Sequence, residues 1–143
     1  MKINTTRFGE LEIDQERIFE FVLPIIGFDE FKKFVILDFD KDKFFKWLQS
    51  VEEPSLAFPV VSVFSMGVDY SIDLDDEIVE KLQIESVESL LVLNIASIPQ
   101  ENPQGTTLNL LAPLIFNLDK QVAGQSILSG SGYDVSFPLF KKV

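Results

Sequence analysis

Three aspartates at alternate positions, Asp38, Asp40 and Asp42, come closest to a chemical site in this sequence. Their spacing is that of positions 1, 3 and 5 of a calcium loop, where carboxylates wrap a hard cation in oxygen. Such a loop also needs glycine at position 6 and glutamate at position 12. Those places hold Lys43 and Gln49, so the run reads as a solvated turn. Gly130-Ser131-Gly132 is a fragment of a glycine-rich phosphate loop. A dinucleotide fingerprint requires a third glycine three residues later, where Val135 stands. No Lys-Ser/Thr follows to complete a P-loop, and no Ser-x-x-Lys pair exists for a serine–lysine hydrolase. The 143 residues contain no histidine and no cysteine. That removes the commonest zinc ligand, the commonest general base, the thiol nucleophile and every disulfide. Carboxylates are plentiful, but acid/base work needs two of them converging in a cleft, and no spacing marks such a pair. The expectation is a protein with no catalytic activity, no metal and no cofactor.

Charge is the stronger lead. Lys and Arg number 12 against 23 Asp and Glu, a formal net charge of −11. Such a chain repels phosphate, which argues against direct nucleic-acid or anionic-membrane binding and favours a basic protein partner. Eight acids fall between Asp69 and Glu88 (Asp69, Asp73, Asp75, Asp76, Glu77, Glu80, Glu85 and Glu88), with Lys81 the one base among them. This segment reads either as a solvated helix face or as a steering surface. Beside it, Phe64-Ser-Met66 offers an adaptable apolar patch or ordinary packing.

The elements that must position these residues are mostly strands. Hydrophobic residues are 46% of the chain, enough for an ordinary core, and the length suits one domain spanning 1–143. Short-period alternation rich in Phe, Val and Ile predicts strands at Met1–Thr6, Phe8–Ile13, Arg17–Val22, Phe34–Phe39 and Phe44–Val51. Further strands are expected at Tyr70–Leu74, Leu90–Ile98, Leu108–Phe116 (interrupted at Pro113) and Lys120–Leu128. Leu56–Phe64 carries Pro59, which cannot donate to a ladder, so it reads as an edge or bulged strand. Phe28–Lys33 suggests one helical turn. Asp75–Gln83 is the one convincing helix, preceded by Asp73 or Leu74 and opening on acids that suit the helix dipole. Phe44, Phe45 and Trp47 are expected to fill the core. The tail 133–143 is expected to drape over the body. The expectation is a mainly β fold: a compact antiparallel β-barrel-like single domain with one short helix. The opening residues lack a signal-peptide core. Leu90–Ile98, broken by Asn94 and Ser97, is far short of the roughly 18 apolar residues of a spanning helix. A cytoplasmic monomer is expected.

Several motifs together resemble one family. Met1-Lys-Ile-Asn-Thr-Thr-Arg-Phe-Gly-Glu-Leu-Glu-Ile13, Gly27-Phe28, Trp47-Leu-Gln-Ser50 with Pro54-Ser-Leu-Ala-Phe-Pro-Val-Val61, and Asn109-Leu-Leu-Ala-Pro-Leu-Ile-Phe-Asn117 are similar in order and spacing to the flagellar assembly factor FliW family. The resemblance runs from Met1 to Tyr133 and departs from the family pattern at Phe21–Gly27. It implies a β-barrel-like, non-enzymatic protein with two partners. One is flagellin before export; the other is CsrA, a dimeric RNA-binding translational repressor. It further implies a partner switch, in which flagellin occupies the factor until export frees it to bind CsrA and relieve repression of flagellin translation. An acidic antagonist has the right sign for a basic RNA-binding protein. On that basis Asp73, Asp75, Asp76, Glu77 and Glu80 are the candidate CsrA contacts. Pro59, Val61, Phe64 and Met66 are the candidate flagellin contacts, whether by helix docking or by strand addition. Two other readings remain at this point: an acidic flagellin chaperone with no role in RNA regulation, and a barrel holding a small ligand inside.

Overall fold

The computed structural model describes residues 1–38, 45–66 and 70–139. Asp40, Asp42, Lys43, Phe44, Gly67 and Asp69 lie outside the described residues, so the acidic turn is represented by Asp38 alone. The described residues form eleven strands and one α-helix: β1 (Lys2–Thr5), β2 (Gly9–Glu12), β3 (Ile18–Leu23), β4 (Lys33–Leu37), β5 (Lys46–Ser50), β6 (Ala57–Val61), α1 (Asp76–Lys81), β7 (Leu90–Ser97), β8 (Thr107–Leu108), β9 (Leu114–Asn117), β10 (Val122–Gln125) and β11 (Phe137–Pro138).

Seven of these strands close a ring in the order β6-β5-β4-β3-β10-β9-β7, with β7 returning to β6. The expected barrel is therefore present. Every pair in the ring is antiparallel except β3–β10, which runs parallel with Val122 opposite Glu20. A close approach is built into that pair: a Cβ on Gly124 would sit 2.7 Å from the Cβ of Leu23. Alternation sends Phe19, Phe21, Phe34, Leu48, Leu93, Leu114 and Phe116 inward. Phe21 meets Phe34 and Phe116 edge to face at 5.2 and 5.7 Å, so rings fill the interior.

The β1–β2 hairpin covers the outside of β4 and β5. Ile3 packs there with Val35 and Leu37, and Trp47 joins them rather than entering the barrel. The period of two decides this: Leu48 points in, so Trp47 points out, half-buried beneath Phe8 with the Arg7 guanidinium 3.9 Å over its ring.

Four other expectations change. Pro59 sits on no edge, because β6 pairs with both β5 and β7. The bond from Ser50 N–H to the Leu56 carbonyl sets an alternation in which the Pro59 nitrogen faces away from β5. Pairing with β7 starts only at Val60, so the missing donor falls where no ladder bond is required. Phe28–Lys33 is a turn closed by Phe31 N–H on the Phe28 carbonyl, not a helix. Tyr70–Leu74 forms no strand. Residues 109–113 separate β8 from β9 as an irregular stretch. The tail is docked through residue 139: β11 pairs with β8, and Leu139 N–H donates to the Thr106 carbonyl at 3.0 Å.

Candidate functional site

A groove of about 640 Å³ lies on the outside of the barrel under α1. Its floor follows from strand register. Leu91, Leu93, Leu114 and Phe116 belong to the interior, so the alternating Leu90, Val92 and Ile115 face the other way, Val92 directly opposite Ile115; Leu90 and Val92 keep part of their surface, while Ile115 is fully covered. One wall is Leu74, Val79 and Ile84, from α1 and its flanks. Phe64, Tyr70 and Ile72 form the other.

Each wall is held by polar bonds, some exposed and some buried. Asp75 caps α1, its Oδ1 accepting from Ile78 N–H at 2.9 Å, so the cap is Asp75 rather than Asp73 or Leu74. The helix ends at Lys81, and Gln83 follows in the left-handed region with φ 53°. Asn117, only 2% exposed, donates its Nδ2 to the Leu82 and Gln83 carbonyls at 2.8 and 3.0 Å. Its Oδ1 accepts from the N–H groups of Asp119 and Lys120. One side chain thus ties the helix end to the β9–β10 turn and satisfies carbonyls left over from α1.

The opposite wall is tied to the tail. Tyr133 Oη accepts from Ser71 N–H at 2.8 Å and lies 3.1 Å from the Ser71 carbonyl, to which it donates. This replaces the ladder that Tyr70–Leu74 lacks. Tyr70 packs edge to face on Tyr133 at 4.8 Å and donates its hydroxyl to the Leu110 carbonyl. Burial raises the Tyr70 pKa above the ordinary phenol value, which keeps that donor protonated. Asn94 Nδ2 donates to the same hydroxyl and to the Asn109 carbonyl.

The candidate acids are all exposed, and Asp73 and Asp75 line a separate hollow with Ile127 and Leu128. Asp73 stands between the lining residues Ile72 and Leu74, and Glu80 follows Val79. Glu77 pairs with Lys81 at 3.1 Å, and Asp75 is engaged as the cap. Asp73, Asp76 and Glu80 carry no ion pair among the described residues. The candidate apolar residues divide. Phe64 is 48% exposed and lines the groove. Met66 is half-buried against the cluster that contains Val63, Tyr70 and Leu108, and Pro59 is half-buried within β6. Val61 is 2% exposed, closed into the core with Tyr70 and Leu108, so its side chain offers a partner no surface. Sequence reasoning missed Asn117, Tyr133 and Val87. Val87, 81% exposed, lines the groove from the turn after α1. The available signals were a hydrophobic residue set between Glu85 and Glu88, and asparagines bounding the 109–117 motif.

A family model described as FliW protein matches residues 2–139. The chain belongs to the FliW family. A flagellar assembly factor FliW from Caldicellulosiruptor saccharolyticus is 42% identical over 136 residues, covering 95% of this chain and 88% of that protein. The FliW of Clostridium tetani is 34% identical over 142 residues, covering 99% and 97%. The FliW of Treponema denticola is 37% identical over 145 residues, covering 100% and 96%. A crystal structure of the flagellar assembly factor FliW superposes with a TM-score of 0.91 at 36% identity, covering 99% of both chains. FliW is a family of flagellar assembly factors, and the groove above is a feature of this member.

Proposed function

We propose that this FliW-family chain is a non-enzymatic regulatory factor that binds flagellin in the cytoplasm and antagonises CsrA by exchange of partners, relieving repression of flagellin translation. One observation carries the reading: an apolar groove lies under α1, a helix whose Asp76 and Glu80 are exposed and carry no ion pair among the described residues. Apolar burial supplies non-directional adhesion, and the acids supply attraction to a basic partner. A protein docked through such a surface also repels RNA phosphates nearby, within a screening length of about 8 Å in physiological salt. The factor acts as a monomer and contacts neither nucleic acid nor membrane directly. Among the described residues, no helix is long and apolar enough to cross a membrane.

Calorimetric titration of the purified protein with cognate flagellin and cognate CsrA tests this. Both should bind, and prior saturation with flagellin should abolish CsrA binding. Flagellin binding with no CsrA binding would make the chain a flagellin chaperone; binding of neither would end the proposal.

A further inference from the structure

We propose that the groove under α1 is a slot for one added β-strand: an extended, apolar segment of a partner protein pairs there with a vacant edge of β7. This deepens the partner-binding reading above and rests on it for the groove's being a docking site.

The barrel has a seam. β9 pairs with β7 from Leu90 to Leu93, but β6 meets β7 only at Ile95 and Asn94, opposite Val60 and Val61. Beyond Val61 the chain turns off into a short 3-10 helix, Val63–Met66, and no described strand replaces it beside Leu90–Leu93. Register fixes which backbone groups are left over. Leu118 N–H donates to the Ser89 carbonyl and Asn109 N–H to the Ile95 carbonyl, so the odd-numbered residues of β7 turn their backbone groups toward β9 and β8. The even-numbered ones face the seam. Asn94 meets Val61 there, and Leu90 N–H donates to the Val87 carbonyl. The N–H and C=O of Val92 and the C=O of Leu90 have no partner among the described residues.

The groove reaches that edge. It is lined by Ser62, where β6 has just ended, and by three consecutive residues of β7, Leu90, Leu91 and Val92. A hollow over the face of a sheet touches alternate residues; one that touches neighbours in the chain has come to the strand's edge. Volume agrees with the vacancy. At the usual spacings along a strand, between strands and between sheets, one strand residue fills roughly 160 Å³. The groove of about 640 Å³ therefore holds about four, the length of the vacant edge.

The same edge excludes a helix as occupant. A helix keeps its backbone bonds to itself, so one lying here would dry Val92 and leave its N–H and C=O unpaired. A strand exchanges two bonds with Val92 and donates a third to the Leu90 carbonyl. Ile72, Leu74, Val79 and Ile84 line the groove beyond the edge, so the segment that fits is apolar.

Amide hydrogen exchange followed by NMR reads the edge directly. In the free protein the Val92 amide should exchange at least about a hundredfold faster than those of Leu91 and Leu93, which β9 holds. The probe is a capped peptide of four valines between Ser-Lys ends. At saturation it should slow Val92 by about tenfold or more, and Leu91 and Leu93 by less. A Val92 amide already as slow as Leu91 in the free protein, or one unslowed at the highest soluble peptide concentration, overturns the proposal. Val92→Pro removes the donor that faces the seam and no bond to β9. It should fold, as a melting curve checks, and bind the peptide at least about tenfold more weakly than Val92→Ala, which keeps the N–H. Equal binding by the two folded variants also overturns the proposal; if the proline variant does not fold, exchange in the wild type decides alone. Intact flagellin and CsrA are titrated separately. Slowing of Val92 by the peptide with neither protein binding overturns the partner assignment and leaves the strand slot standing. Binding of both proteins with Val92 unslowed by the peptide overturns the strand slot alone.

Discussion

Asn117→Ala should release α1 from the barrel. The side chain makes two bonds to the helix end and two to the following turn, and it is almost wholly buried. The N–H groups of Asp119 and Lys120 belong to exposed residues, so water can replace the lost acceptor there. The Leu82 carbonyl belongs to a buried residue and stays dry. An intramolecular hydrogen bond contributes about 1 kcal/mol net, and a dry orphan costs about 1–3 kcal/mol. The sum is a loss of about 2–4 kcal/mol, a large share of the roughly 5–15 kcal/mol typical of a domain. Urea denaturation measures it, and amide exchange should localise the opening to residues 76–84. Asn117→Asp supplies the sign control. It keeps the acceptor for Asp119 and Lys120 but aims a carboxylate at two carbonyls. Its folded pKa must then rise above the aspartate value of about 4. The variant should therefore be least stable near neutrality and gain stability as pH falls through the raised value, relative to wild type. A loss below about 0.5 kcal/mol in Asn117→Ala, or an Asp variant indifferent to pH, would refute the anchoring role.

Charge reversal at Asp73, Asp76 and Glu80 to Lys should slow CsrA association and flatten its salt dependence while flagellin binding changes less; stopped-flow rates across a salt series report it. Asp75 is excluded from that set because Asp75→Ala should itself cost about 1 kcal/mol through the lost cap, seen as a lower melting temperature. Glu52 accepts from the N–H groups of Lys33 and Lys32 at 2.9 and 2.8 Å, and these bonds lower its pKa. Its contribution is present above the unfolded glutamate pKa and lost as pH falls through the lowered folded value, so Glu52→Gln should lose stability at neutral pH and much less in acid. Gly124→Ala should destabilise by about 1–3 kcal/mol, because its methyl would meet Leu23 across the parallel β3–β10 pair; thermal melting checks it.

Alternation made the barrel legible: Phe19, Phe21, Phe34 and Leu48 face inward as their spacing required. The same period misled at Tyr70–Leu74, where alternating residues have no neighbouring strand and take their bonds from Tyr133 in the tail. Three nearby aspartates are chemically competent caps for α1, and only the backbone course selects Asp75. Pro59 signals a missing donor but not which side of the strand the gap faces. The groove was half visible. Phe64 stood out by type, whereas Val92 and Ile115 look like any core residues until strand register turns them to the other face. Asn117 showed only its place at the end of the 109–117 motif, since a buried amide and a surface amide are spelled alike.

The parallel β3–β10 pair also orders events in time. Ile26 N–H reaches the Gln125 side chain across 99 positions, beside strands that meet only when the chain's two halves come together. Contacts so distant along the chain reward folding late, after a long loop has been closed. During synthesis, β3 to β6 can assemble as an antiparallel meander while the free edge of β3 waits for β10 to leave the ribosome. The ring is therefore sealed late, and until then an unpaired strand invites association with other chains. A ribosome arrested before Val122 should hold a meander that proteases still cut, and one arrested well beyond Gln125 a barrel that they do not.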